Sequence, residues 1–280
     1  MLAVNAILRH REFGDESGRW VIYFHGAPGD PRECAVFDAY ARQYGLRFAC
    51  FERFAVDPTV DGLAYFRCLA AAIDDLTGGE PVDFVGFSIG AFVALQVYSL
   101  MPNQVSSIHL VSAAAPLVDD SLWKTAAGRG VFRLAQIQRA IFRAFCTAQS
   151  WVALHWPDRM LKALFAGAAG ADHDLLVEPA FRAAMIDNLR AGLGSYPQGY
   201  ARDVLLYVQP WHALLASIDA PTRLWHGELD NWAPLAMAQY LKAQLPNISQ
   251  FECMTGLSHY SCLLQSAKPL CRQIAADVGR

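Results

Sequence analysis

Short stretches in which apolar residues run almost without interruption recur along this chain. They are WVIYFHG from Trp20, LRFACFERF from Leu46, VDFVGFS from Val82, SSIHLVSAA from Ser106, TRLWHGELD from Thr222 and SQFECMTG from Ser249, with a weaker one at AVNAILRH. Their short length and their content of β-branched and aromatic residues predict strands. Between them the apolar positions change to a helical spacing, predicting helices over 33–44, 61–76, 88–100, 234–245 and 260–278. A strand that is apolar throughout hides both faces, and strands separated by helices pair in parallel, so the pattern specifies an α/β protein with a mostly parallel, doubly wound sheet. Asp30-Pro31-Arg32-Glu33 reads as an N-cap, a proline in the first helical position and a capping-box glutamate, so a helix is expected directly behind HGAPG.

That rhythm stops after Pro116. From there to about Ser217 the spacing is helical, no stretch reads as a strand, and aromatic residues are dense. So long a segment does not stay structureless inside a compact domain. Residues 117–217 are therefore expected to form a helical cap inserted into one core built from 1–116 and 218–280. Its aromatic residues, Trp123, Phe145, Trp151 and Trp156 among them, are candidates for lining a substrate pocket. The small-residue run FAGAAGAD, residues 165–172, is where a hinge is expected.

Composition narrows the partners. With 280 residues, 54% of them hydrophobic and 18% charged, the chain can bury one large core. A net charge of −3 supplies no concentrated basic surface of the kind nucleic acid requires. The one local cluster, Arg129, Arg133, Arg139 and Arg143, reads as a solvated helix face. No stretch approaches the roughly 18 to 20 apolar residues of a membrane span, and the N-terminal segment lacks the charged region and cleavage site of a signal peptide. Seven cysteines, without a CxxC pair or a zinc-like Cys/His spacing, read as free thiols in a reducing compartment. A cytoplasmic protein acting on a small molecule is expected, with no nucleic-acid or membrane partner; the oligomeric state stays open, a homodimer included.

The candidate chemistry starts at GFSIG. Ser88 stands where the strand VDFVGF passes into the helix IGAFVALQVYSLM, and a sharp turn there strains its backbone while Gly86 and Gly90 leave room for the neighbouring elements. A serine hydroxyl attacks a carbonyl only with a base to take its proton and a carboxylate to orient that base. In an open parallel sheet these groups arise at the carboxyl ends of other strands. His259, reached from the last strand through GLSH, is the candidate base. His25 and His226 also end strands, but each is followed by glycine in a turn, where an imidazole commonly braces backbone. Asp230, ending RLWHGELD, is the candidate acid, with Asp119 or Asp120 as competitors after IHLVSAA. An oxyanion hole would come from the backbone N–H groups of Ala27 in HGAPG and Ile89 behind the serine.

HGAPG, GFSIG, WHGELDNWAP and GLSH, in this order and after these strands, resemble the α/β-hydrolase superfamily, in particular its capped group of proline iminopeptidases and small-molecule esterases. The resemblance implies a Ser-Asp-His catalytic triad and a cap between the sixth and seventh strands. Two departures stand out: where members often carry D-R-x-G-x-G-x-S, this chain reads FERFAVDP with only Arg53 kept, and the cap holds a single glutamate, Glu178, where iminopeptidases present several. The expected function is therefore hydrolysis of a small, largely apolar carboxylic ester, lactone or thioester through an acyl-Ser88 intermediate, without cofactor or metal. C–C bond, amide or peptide hydrolysis, acyl transfer on the same triad, and a non-catalytic small-molecule receptor remain the alternatives.

Overall fold

The computed structural model describes residues 8–60 and 62–277. Its strands are β1 (His10–Gly14), β2 (Arg19–Phe24), β3 (Leu46–Phe51), β4 (Val82–Phe87), β5 (Val105–Val111), β6 (Thr222–Gly227) and β7 (Ile248–Met254). They form one sheet in the order β1-β3-β2-β4-β5-β6-β7. Only β1 is antiparallel, running from His10 opposite Phe51 to Gly14 opposite Arg47; β2 to β7 are parallel to their neighbours. The weak strand expected over AVNAILRH falls largely on residues 1–7, outside the described residues. The strand seen starts at His10 instead, and its HREFG is half solvated at the sheet edge, where polar side chains cost nothing and no apolar run betrays it.

The middle strands β4 and β6 are buried at every position, whereas the edge strand β7 is partly open to solvent. Helices α1 (Asp38–Tyr44), α2 (Gly62–Thr77) and α3 (Ile89–Tyr98) follow β2, β3 and β4. Helix α3 is buried at every position but Gln96, which explains why its apolar residues show no amphipathic stripe. Behind HGAPG the chain makes a 3₁₀ turn, Pro31–Phe37, before α1 begins, so the expected single helix is two pieces. Asp30 caps that turn by accepting from the Arg32 N–H at 3.0 Å. The reciprocal half of the expected capping box is not made: Glu33 turns inward, where the buried Gly26 N–H and Tyr23 hydroxyl need an acceptor.

Between β5 and β6 the chain builds α4 (Asp120–Trp123), α5 (Arg129–Ile137), α6 (Arg139–His155), α7 (Pro157–Leu164), α8 (Asp172–Leu175), α9 (Pro179–Leu189) and α10 (Pro197–Tyr207). In this sheet's own count the insertion thus falls between the fifth and sixth strands, not the sixth and seventh that the resemblance implied. Helix α6 packs against α5, α7 and α10, and α10 carries the group onto α3 and the 3₁₀ turn Arg53–Ala55. The chain then returns through β6, α11 (Leu235–Gln244), β7 and α12 (His259–Ala276). All seven cysteines are free. Among the described residues, no helix is long and apolar enough to cross a membrane.

Candidate active site

Ser88 lies between β4 and α3 with φ 55° and ψ −127°. Positive φ is rare for any residue with a Cβ, and holding it costs of order 1–3 kcal/mol that the surroundings must supply. The surroundings are backbone: Ser88 N–H donates to the Val111 carbonyl at 3.0 Å, and its own carbonyl accepts from Ala91 and Ala114 N–H at 3.1 Å each. Gly86 and Gly90 let the turn close. A Cβ on Gly86 would sit 2.6 Å from the Ala91 Cα, and one on Gly90 would fall on the Phe24 carbonyl oxygen. The start of α3 also turns free N–H groups and the positive end of its dipole toward this point.

His259 opens α12. Its Nδ1 lies 2.8 Å from Asp230 Oδ2, and both side chains are buried. The other oxygen, Oδ1, accepts from the Trp232 and Ala233 N–H groups at 2.9 Å each. Burial alone would raise the Asp230 carboxyl, but the charge and hydrogen bond of His259, with His226 and the Ala233 N–H behind them, outweigh it and hold the group below its ordinary value. An ionised Asp230 keeps a proton on His259 Nδ1, which leaves the lone pair on Nε2. The rings of Phe87, the residue before Ser88, and His259 are 4.7 Å apart. Asp119 and Asp120 are committed elsewhere: Asp119 caps α4 through Ser121 N–H at 2.8 Å, and Asp120 pairs with Arg129 and Arg133.

His25 and His226 both hold loop backbone. His226 Nε2 is 2.8 Å from the Ala233 carbonyl. His25 Nδ1 is 2.8 Å from the Gly26 carbonyl, a contact that puts the proton on Nδ1; burial and then the Arg53 charge hold this imidazole well below its usual range. The turn that carries Ala27 is pinned further. Gly26 N–H donates to Glu33 Oε1 at 2.7 Å, and the Gly26 carbonyl also accepts from Arg53 Nη2 at 3.1 Å. Arg53 is itself fixed by Asp203 of α10, Nε to Oδ2 at 2.7 Å. Neither the Ala27 nor the Ile89 N–H donates to an acceptor among the described residues.

Around His259 stands a wall of rings. Trp232 stacks on it at 5.6 Å with the rings nearly parallel, and Tyr260 meets it edge-on. From the insertion, Phe165 and Phe181 pack on Tyr260. The aromatic residues expected to line the pocket are placed differently. Trp151 and Trp156 are 50% and 45% exposed, Trp151 packing on Trp156 and on His155. Trp123 is buried against Phe132 with Arg129 and Arg133 over its ring, and Phe145 is half-buried among the insertion's helices. Phe165 and Phe181 are not among the residues the sequence marks for the pocket, because a phenylalanine at helical spacing looks the same whether it faces a neighbouring helix or the site.

The run FAGAAGAD, expected as a hinge, is tied to the core. Ala171 N–H donates to the Gly256 carbonyl at 3.1 Å, the Asn231 amide donates to the Gly167 carbonyl, and the buried Asp172 accepts from Tyr260 N–H at 3.0 Å and Ser261 N–H at 2.7 Å. Ser112, at the end of β5, donates its hydroxyl to the His259 carbonyl at 3.1 Å. Among the described residues no group of three or more His, Cys, Asp or Glu side chains is arranged to hold a metal ion.

A model of the alpha/beta hydrolase family matches residues 21–272. The chain is 26% identical over 221 residues to the pimeloyl-[acyl-carrier protein] methyl ester esterase of Chromobacterium violaceum, covering 78% of this chain and 79% of that one. Solved structures that superpose on it include an enol-lactonase from Burkholderia xenovorans, with TM-score 0.68, 14% identity and 98% and 96% of the two chains covered. An esterase from Exiguobacterium antarcticum superposes with TM-score 0.66, 15% identity and the same coverage.

Proposed function

This chain belongs to the α/β hydrolase family, and from that premise we propose that it is a serine hydrolase of small, largely apolar carboxylic esters, working through Ser88, His259 and Asp230. The observation that carries the proposal is the Asp230–His259 contact at 2.8 Å, buried beside the strained turn at Ser88. The carboxylate fixes one imidazole tautomer, which is what a general base for a serine needs.

In the proposed reaction, Ser88 Oγ bonds to the ester carbonyl carbon while its proton passes to His259 Nε2. The negative charge that develops on the carbonyl oxygen is met by the N–H groups of Ala27 and Ile89. Collapse breaks the bond to the alkoxy oxygen, which leaves as the alcohol with the proton from His259, and the acyl group stays on Ser88. A water then gives its proton to Nε2 and attacks the acyl carbon, and the returning proton releases Ser88 and the acid.

An ester is favoured over a peptide by the insertion's own acids. Asp172 and Asp203 are both buried and bonded to core groups, Asp119, Asp120 and Asp158 are committed to Ser121 N–H or to arginines, and Asp174, Glu178 and Asp187 are exposed, so these carboxylates are not poised for a substrate amine. The Chromobacterium violaceum relative, a methyl ester esterase, is in keeping with this choice of substrate class. The test is Ser88→Ala: hydrolysis of p-nitrophenyl butyrate and labelling by a fluorophosphonate are expected to disappear while the thermal midpoint stays near that of the parent. Turnover surviving in a pure preparation of the variant would remove Ser88 from the reaction, and an unlabelled but folded parent would favour a receptor.

A further inference from the structure

Two carboxylates of the insertion, Asp172 and Asp203, are fully buried, and a buried carboxylate is costly unless it is paired. Each finds its hydrogen-bond donors across the boundary, in the core, and each does so one step from a group of the proposed reaction. We infer that the helical insertion is a working part of the reactive centre: Asp172 is a positioning residue for His259, and Asp203 is one, acting through Arg53, for the oxyanion turn. The inference rests on the triad proposed above.

Asp172 takes the first turn of α12. The opening N–H groups of a helix have no partner within it, and here Asp172 Oδ2 accepts from Tyr260 and Oδ1 from Ser261. These are the two residues directly after His259. From the opposite side Ser112 donates to the His259 carbonyl, so the backbone carrying the base is held between the sheet and the insertion. The imidazole direction, and with it the reach of Nε2, follows from that backbone.

Asp203 acts at the other end of the site. It accepts from Arg53 Nε, and the same guanidinium donates through Nη2 to the Gly26 carbonyl. That carbonyl and the Ala27 N–H belong to one peptide unit. A cation bonded to the carbonyl draws electron density from the amide nitrogen, so the Ala27 N–H becomes a stronger donor while its direction is fixed. Glu33 on the Gly26 N–H and His25 on the Gly26 carbonyl complete the cradle. Arg202, beside Asp203, donates to the Arg53 carbonyl at 2.7 Å and so ties α10 to the same turn.

Two variants test this without unbalancing buried charge more than necessary. Asp172→Asn keeps the size but loses the charge and one acceptor. Arg53→Lys keeps the charge against Asp203 but has no planar fork to reach Asp203 and Gly26 together. Each is expected to lower kcat for p-nitrophenyl butyrate, and the rate of fluorophosphonate labelling, about tenfold or more, since a small misplacement of a catalytic group can cost about 10²-fold. KM should stay within about threefold. Asp172→Glu keeps the charge and both acceptors but pushes the first turn away by one methylene, and it is expected to lower both rates about threefold or more, though less than Asn does. Asp158→Asn, which breaks only the exposed pair with Arg182, should leave both rates unchanged. If folded Asp172→Asn or Asp172→Glu, or folded Arg53→Lys, keeps kcat and labelling rate within about twofold of the parent, the inference is overturned. Labelling of Ser88 in the parent tests the triad separately: if it fails, the function falls, and if it succeeds while the variants match the parent, only the role of the insertion falls.

Discussion

Glu33 sits behind the oxyanion turn, and burial pushes its carboxyl up to about 7 although the Gly26 N–H, the Tyr23 hydroxyl, Arg53 and His259 all favour the ionised form. An unfolded glutamate loses its proton near 4.3, so between there and about 7 the folded protein holds a proton that the unfolded chain has released. The stability this contributes is complete below the unfolded value and is lost as the pH rises through the folded one. Glu33→Gln, a permanently neutral isostere that can still accept from Gly26 and Tyr23, is therefore expected to match the parent near pH 4.5 and to exceed it near pH 8 by up to about 4 kcal/mol. Urea melts of both proteins across that range would check it, and parallel curves would refute it. In the sequence this glutamate reads equally well as the capping-box residue of a helix start, because it stands three positions after Asp30; the choice between the two acceptor duties depends on which N–H the folded chain leaves unpaired.

The elements were more legible than the residues between them. Strands β2 to β6 lie where the nearly uninterrupted apolar runs predict them, since a strand buried on both faces has no polar face to blur the signal, and β7, partly open to solvent at the edge, still lies where its shorter run predicts it. β1, half solvated, escaped for the opposite reason. Glycine on either side of Ser88 announced the strand-to-helix turn, and the reason is now geometric: β2 crosses so close to α3 that any Cβ on Gly90 lands on the Phe24 carbonyl oxygen. Gly90→Ala should thus lose several kcal/mol of stability, more than the ordinary 1–3 kcal/mol of an overpacked core, and lower kcat even in the fraction that folds. Denaturation midpoints and active-site titration with a fluorophosphonate would measure the two effects; a fully labelled, equally stable variant would contradict the close approach.

At the scale of the molecule, the insertion is seated on the core by backbone approach and by a buried ion pair. Gly199 of α10 lies so near the Phe54 carbonyl that a side chain there has no room, and Arg53 meets Asp203 with both side chains all but sealed from solvent. Removing one partner of such a pair leaves the other charge uncompensated, at a cost of about 3–5 kcal/mol. Asp203→Ala should therefore lower the unfolding free energy by that amount and expose the 117–217 segment to limited proteolysis before the core is cut. Cleavage sites spread evenly over both parts, or an unchanged midpoint, would show that the pair does not hold the two together.

Local pattern by itself determined the alternation of strand and helix, the stretch without strands, the turn at Ser88 and the residue types that end β6 and follow β7, because each of these depends on neighbours a few positions away. Only the tertiary structure decided that Asp230 rather than Asp119 or Asp120 meets His259, that Trp151 and Trp156 face outward while Phe165 and Phe181 reach the site, and that FAGAAGAD is anchored. Those outcomes turn on pairs such as Asp172 with Tyr260 and Arg53 with Asp203, which lie far apart along the chain. A buried charge carries no mark in the sequence of the partner that will neutralise it; the partner is chosen when the insertion closes on the sheet and every carboxylate it buries has to find a donor there.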